Sequence, residues 1–252
     1  MGVVADASTS VIEVTVHGRW SRDLGNEVTA TLQLCLAGPA STIIVDLHDL
    51  GDLHGASRSF WAAAVRTARL RPEPVRMVLC LPARTMLDYR LRHGDEDGPQ
   101  VFATVPDARR AMAAQPWRGH RVQARLAPEP VSVRAARDLV VRACRGWQLS
   151  ALRHQACLVV SELTANAVEH ARTGLVVTVS YSGSWLHLAV RDGDARYPRL
   201  RLPVHDDRAA APGERGRGLL LVHAMAAAWG VLPARSGKVV WATLSPAGPG
   251  ET

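Results

Sequence analysis

The chain has 252 residues, 47% apolar and 21% charged, a balance that supports a buried core and excludes collagen-like and disordered classes. No uninterrupted apolar run approaches the ~18 residues of a membrane span, and the opening Met1-Gly-Val-Val-Ala-Asp-Ala-Ser lacks the basic, apolar and small-residue zones of a signal peptide. No membrane partner is expected. The four cysteines, Cys35, Cys80, Cys144 and Cys157, stand singly in apolar stretches. They have neither metal-site spacing nor the density of a disulfide scaffold, which reads as reduced core thiols and a cytoplasmic location.

The formal net charge of +7 is uneven: residues 1–120 carry 13 basic and 13 acidic groups, residues 121–252 carry 17 and 10. A neutral half joined to a basic half points to two domains, and we place them at 1–118 and 119–252. The basic half fits a solvated surface, a nucleic acid or a small anion such as a nucleotide, and charge alone does not choose among them. Of the 30 basic residues only Lys238 is a lysine. That skew follows most simply from a GC-rich coding sequence.

In chain order, residues 11–18 alternate as a strand, and Leu24, Val28, Leu32 and Leu36 form one helical face. A buried strand at 42–47, a helix at 57–70, a strand at 75–81, a helix at 85–93, a short strand at 101–104 and a helix at 106–114 complete an α/β pattern with a largely parallel sheet. Prolines and glycines between Gln115 and Ser132 break the pattern. The second half reads as a strand at 122–126, helices at 132–147 and 150–171 with serine N-caps, and strands at 175–181 and 185–191. A loop at 192–217, a helix at 218–229 and a strand at 239–244 follow. This is an α/β sandwich with one helical layer over antiparallel strands.

Three segments of the second half carry chemistry. An unbroken helix from Ser150 stacks Glu162, Asn166 and His170 at i, i+4 and i+8 on its inward face. Buried amides and carboxylates need partners; backbone, water or a hydrated metal ion with its phosphate ligand would each serve. Asp192-Gly193 closes a strand, where the aspartate can accept from an exocyclic amine; alone it is an ordinary turn. Gly213-Glu-Arg215-Gly216-Arg217-Gly218-Leu219 runs into an apolar helix, and backbone N–H groups beside two arginines make a phosphate cradle.

In this order and spacing the three segments resemble the GHKL (Bergerat-fold) ATPases. Ser161-Glu-Leu-Thr-Ala-Asn166-Ala-Val-Glu-His170-Ala is similar to the N box, Asp192-Gly193 to the first glycine box and Gly216-Arg-Gly218-Leu219 to the second. The nearest likeness is to the anti-sigma-factor serine kinases of partner-switching systems, over roughly residues 122–246. The resemblance implies ATP and Mg²⁺ as cofactors, with Asn166 holding Mg²⁺ and Asp192 binding the adenine amine. His170, Gly193, Arg215, Gly216, Arg217, Gly218 and Leu219 would line the nucleotide, and Glu162 would deprotonate a serine hydroxyl of a protein substrate. One position departs from the pattern: Asp194 stands where the first box usually has its glycine.

The order of elements in the first half, with Ile43-Ile-Val-Asp46-Leu running into a turn, resembles a STAS domain, the fold of anti-sigma-factor antagonists. At the place of that family's phosphorylated serine stands Ala56, in His54-Gly-Ala56-Ser57-Arg58, which implies a degenerate docking domain; a shifted register would make Ser57 or Ser59 the acceptor. The resemblances imply a serine/threonine kinase acting on a separate STAS protein, with a sigma factor as second partner and a homodimer through the ATPase domain. The alternative is a catalytically inactive, nucleotide-gated interaction module. Direct nucleic-acid binding ranks last, because no such motif is present and few aromatics are available for base stacking.

Overall fold

The computed structural model describes residues 2–7, 10–93, 98–114, 119–198 and 218–245. The chain divides into two compact units, Met1–Arg118 and Gly119–Thr252. Among the described residues no helix is long and apolar enough to cross a membrane.

In the first unit β2 (Val11–Arg19) alternates as expected, with Ile12, Val14 and Val16 buried, and β3 (Thr42–Asp46) is buried almost throughout. β5 (Arg76–Cys80) and β6 (Gln100–Phe102) follow β3 in parallel, while β1 (Gly2–Ala7) adds an antiparallel edge that the sequence reading did not include. The sheet order is β1-β2-β3-β5-β6, with the two-residue β4 (Leu50–Gly51) pairing the end of β2. Among the described residues of this unit, three of four helices start on a hydroxyl cap. Ser21, Thr85 and Thr104 accept from backbone N–H groups at the starts of α1 (Arg22–Ala37), α3 (Met86–Arg92) and α4 (Val105–Ala113). α4 sets Ala108 and Met112 against Ile44, Val78 and Cys80.

α2 (Arg58–Arg69) begins differently. Ser57, fully buried, donates its hydroxyl to Asp52 Oδ2 at 2.6 Å and accepts from Trp61 Nε1 at 3.0 Å. Asp52 also accepts from the backbone N–H groups of Ala56 and Ser57, both at 2.8 Å. One carboxylate therefore closes the turn, and one hydroxyl satisfies the buried indole. Ala56 and Ser59 are exposed.

In the second unit β7 (His120–Leu126), β8 (Leu175–Tyr181), β9 (Leu186–Asp192), β10 (Ala228–Pro233) and β11 (Lys238–Leu244) form one antiparallel sheet in the order β10-β11-β9-β8-β7. α5 (Val131–Gly146), α6 (Arg153–Asn166) and α7 (Gly218–Met225) share its apolar core, in which Leu139, Val140, Val160, Leu163 and Val222 meet Val177, Leu188, Val190 and Val240. Burial pushes the thiols of Cys35 and Cys80 up to about 12 and Cys144 to about 11, so they stay protonated.

Three expectations for this unit are corrected. The helix expected over 218–229 ends at Met225, and Ala228–Pro233 is β10. Its alanines favour helix, but Ala227 N donates to Thr243 O at 2.9 Å and opens the ladder with β11, so strand pairing overrides propensity. The serine caps are also absent. α5 starts after Pro130, and Ser132 donates instead to Ala127 O at 2.7 Å; Ser150 opens a 3₁₀ turn (Ser150–Leu152) ahead of α6. Finally, the helix expected to continue to residue 171 changes winding after Asn166, where Ala167–Ala171 forms a π turn.

Ser57→Ala removes one bond to Asp52 and strands the Trp61 indole, which predicts a loss of about 1–3 kcal/mol in the first unit. The urea midpoint of the transition that exposes Trp61 measures it. An unchanged midpoint would mean that the network carries no stability.

Candidate functional site

The site is built where the end of β9, the hairpin between β10 and β11, and the α6–π segment meet. Alternation places Asp192 and Lys238 on the same side of the sheet as Val190 and Val240, the side that faces the helices. The two are direct partners across the β9–β11 ladder. Lys238 Nζ lies 2.9 Å from Asp192 Oδ1 and 2.9 Å from the carbonyl of Asp194, with both side chains almost completely buried. Asp192 Oδ1 also accepts from Asp194 N at 2.9 Å. Asp192 Oδ2 is buried and has no hydrogen-bond partner among the described residues. An unmatched oxygen on a buried carboxylate is costly, and a ligand amine is a natural partner for it.

Two glycines permit this packing. Gly237 has φ +96° in the hairpin turn, and a Cβ there would overlap the Asp192 carbonyl and the Gly193 backbone. Gly193 approaches Thr173 so closely that a Cβ would lie 3.1 Å from Thr173 Oγ1, and its N–H donates to that oxygen at 2.8 Å. Thr173 follows Arg172, whose left-handed φ of 52° ends the π turn. The N-box segment and the Asp192 turn are thus tied by one bond.

Asp194 is turned aside. Both its oxygens take Arg196 Nε, at 3.1 and 3.0 Å, and Oδ1 also takes Arg196 N at 3.0 Å. The Arg196 bonds hold its carboxyl at about 2, below the usual carboxylate range.

The expected inward row is corrected in part. Glu162 and Asn166 are half-buried, and among the described residues neither side chain has a hydrogen-bond partner. His170 is exposed. The π turn is the reason: Arg172 N reaches back to Ala167 O, and this wider winding takes His170 out of the row. Glu162 carries its carboxylate to the first residue of α7, where a Cβ on Gly218 would overlap Oε2. Carboxylates are favoured at that positive helix end. Leu219 is half-buried in the first turn of α7. Arg215, Gly216 and Arg217 lie outside the described residues.

Glu162 and Asn166 offer hard oxygen donors of the kind Mg²⁺ takes, and this ion usually draws most of its ligands from water and phosphate. The donor set therefore fits the ion, although among the described residues no group of three or more His, Cys, Asp or Glu is placed to hold a metal. Lys238, Gly237 and Thr173 were not in the residue set inferred from sequence. A glycine followed by the chain's single lysine was the available signal for the first two; Thr173 carried none.

Because φ +96° disfavours any side chain and the overlap at Gly237 is with backbone, Gly237→Ala is expected to lower stability by more than the ~1–3 kcal/mol of an unfavourable φ alone. Gly183→Ala, at φ +112° with open space around it, supplies the comparison in thermal unfolding. Equal losses would refute the close approach.

The family model of the histidine kinase-like ATPase domain (HATPase_c_2) matches residues 126–244. No curated protein matches the chain. Among solved structures the N-terminal part is similar to an anti-sigma factor antagonist from Mycobacterium paratuberculosis, at 15% identity and TM-score 0.38, over 44% of this chain and 92% of that one. It is also similar to the anti-sigma factor antagonist SpoIIAA in its unphosphorylated form, at 16% identity and TM-score 0.37, over 46% of this chain and 100% of that one. Residues 126–244, which hold the Asp192–Lys238 pair, Glu162 and Asn166, are a histidine kinase-like ATPase domain.

Proposed function

We propose that the second unit binds ATP, with the base against Asp192, and transfers its γ-phosphoryl group to a serine or threonine of a partner protein of the STAS class. The observation that carries this reading is Asp192 Oδ2, a buried acceptor without a donor among the described residues, in a domain of the ATPase family. An exocyclic amine supplies the missing hydrogen bond. Gly218, at the start of α7, leaves backbone N–H groups for phosphate oxygens, joined in this reading by Arg215, Gly216 and Arg217, with Gly193, Leu219 and His170 at the rim.

Asn166 would hold Mg²⁺, which when bound supplies charge neutralisation to the phosphates. Glu162, which carries its carboxylate to the start of α7, would serve as the base. As the acceptor oxygen bonds to the γ-phosphorus and the bond to the bridging oxygen of ADP breaks, its carboxylate takes the hydroxyl proton. Phosphoryl transfer depends on position and charge rather than on covalent help from the protein, so a site with one base is sufficient.

In the same reading a sigma factor is the second partner, the chain pairs with itself through the ATPase unit, and the first unit regulates rather than accepts phosphate. Burial of Ser57 and its two hydrogen bonds argue against that hydroxyl as acceptor. The alternative, a nucleotide-gated interaction module without catalysis, keeps the same base site and dispenses with Glu162. Asp194 favours neither, since its side chain is engaged with Arg196.

Calorimetry with Mg-ATP tests the site. Asp192→Asn is expected to weaken ATP binding about 10- to 100-fold, the worth of a hydrogen bond to a charged group. Asp194→Gly should change it by less than about threefold, as expected for an exposed pair. Glu162→Gln should bind ATP as the wild type does and lose phosphotransfer to a STAS protein; retention of transfer would remove Glu162 as base, and an inactive wild type that binds ATP would favour the interaction module.

A further inference from the structure

The chain uses arginine at 29 of its 30 basic positions, and its one lysine is not at the surface. Lys238 is 3% exposed, at the first position of β11. Its ammonium has three N–H donors and no acceptor. Two of them go to Asp192 Oδ1 and the Asp194 carbonyl, and among the described residues the third finds no acceptor. On the other side of the same ion pair, and among the same described residues, Asp192 Oδ2 finds no donor. Two touching buried side chains thus offer one unmatched donor and one unmatched acceptor, and leaving such groups unmatched is what folded proteins avoid. Arginine would not serve here, because its planar fork is longer and cannot direct three tetrahedral donors from one nitrogen.

A purine base carries the complementary pair on one edge. In adenine the exocyclic amine donates and the adjacent ring nitrogen N1 accepts. We infer that Lys238 and Asp192 together read that edge: Asp192 Oδ2 accepts from the amine while Lys238 Nζ donates to N1. This rests on the proposal that ATP binds with its base at Asp192. It adds a second point of recognition, and with it a means of selecting a base rather than only holding a nucleotide. Lys238 also leaves Asp192 just one oxygen to offer, because Oδ1 is already engaged, so the register of the base on the pair is fixed.

The test compares ATP with 1-deaza-ATP, which keeps the amine and replaces N1 by C–H, by calorimetry on the full chain. The wild type is expected to bind the deaza analogue about 10- to 100-fold more weakly, the worth of one hydrogen bond to a charged group. Lys238→Met is expected to bind ATP more weakly and to lose the difference between the two ligands. A lysine with a merely structural role would weaken both ligands by the same factor and leave their ratio intact, which overturns the inference. Because the first comparison needs only the wild type, equal affinity for ATP and 1-deaza-ATP overturns it even where the variant fails to fold. A wild type that binds no ATP, or an Asp192→Asn variant that binds ATP normally, overturns the base site itself. Normal loss in Asp192→Asn with equal affinity for the two ligands removes only the part assigned to Lys238.

Discussion

The ATPase unit turns on a buried ion pair in which, among the described residues, one carboxylate oxygen is used and the other is not. Taking Asp192 and Lys238 out of water costs several kcal/mol per ion, and their mutual attraction offsets this only where further hydrogen bonds complete both groups. Lys238 gains the Asp194 carbonyl and Asp192 Oδ1 gains the Asp194 amide, so the residue after Gly193 serves both partners through its backbone. Oδ2 has nothing. Among the described residues the surroundings supply no donor for it. In the reading proposed above, the amine of ATP is the partner that this oxygen takes.

The rest of the local architecture follows from holding that pair in place. The cross-strand register puts the two residues opposite each other at the end of the β9–β11 ladder. A left-handed glycine lets the hairpin close over the Asp192–Gly193 backbone, and Thr173 fastens Gly193 from the other side. Thr173 is delivered by the π turn. A regular α-helix through residue 171 would have left His170 in the inward row; the wider turn turns it outward while Glu162 and Asn166, one helical turn apart in the regular part, remain half-buried. π turns recur at functional sites for this reason: one extra residue changes which side chains face inward without ending the helix.

The helices of the first unit, the parallel pairing of its central strands and the antiparallel β8–β9 pair were all legible in the sequence, because apolar periodicity reports burial and burial is what these elements share. β10 was hidden because Ala224 to Ala228 are helix-favouring, and only the ladder to β11 makes them end a helix and start a strand. The π turn was hidden because winding depends on where the chain must arrive, at Thr173, rather than on residue preference. Within the site, the residue types of the N box and of Asp192-Gly193 were readable as a pattern. Lys238 was not read as part of it: its partner is 46 positions away in sequence, and one lysine among arginines looks like composition until its neighbours are known.

The turn before α2 shows the opposite logic, and it bears on what the first unit does. There a half-buried carboxylate meets a buried hydroxyl, and both are engaged within the chain: Asp52 takes two amides and the Ser57 hydroxyl, and Ser57 takes the Trp61 indole. A phosphate on Ser57 would break both hydroxyl bonds, expose or strand Trp61, and set close to two negative charges beside Asp52. Ala56, exposed in that turn, has no hydroxyl. The bonds among Asp52, Ser57 and Trp61 hold the shape of that turn, whereas the Asp192 turn leaves one oxygen unmatched among the described residues, and in the proposed reading the base takes it.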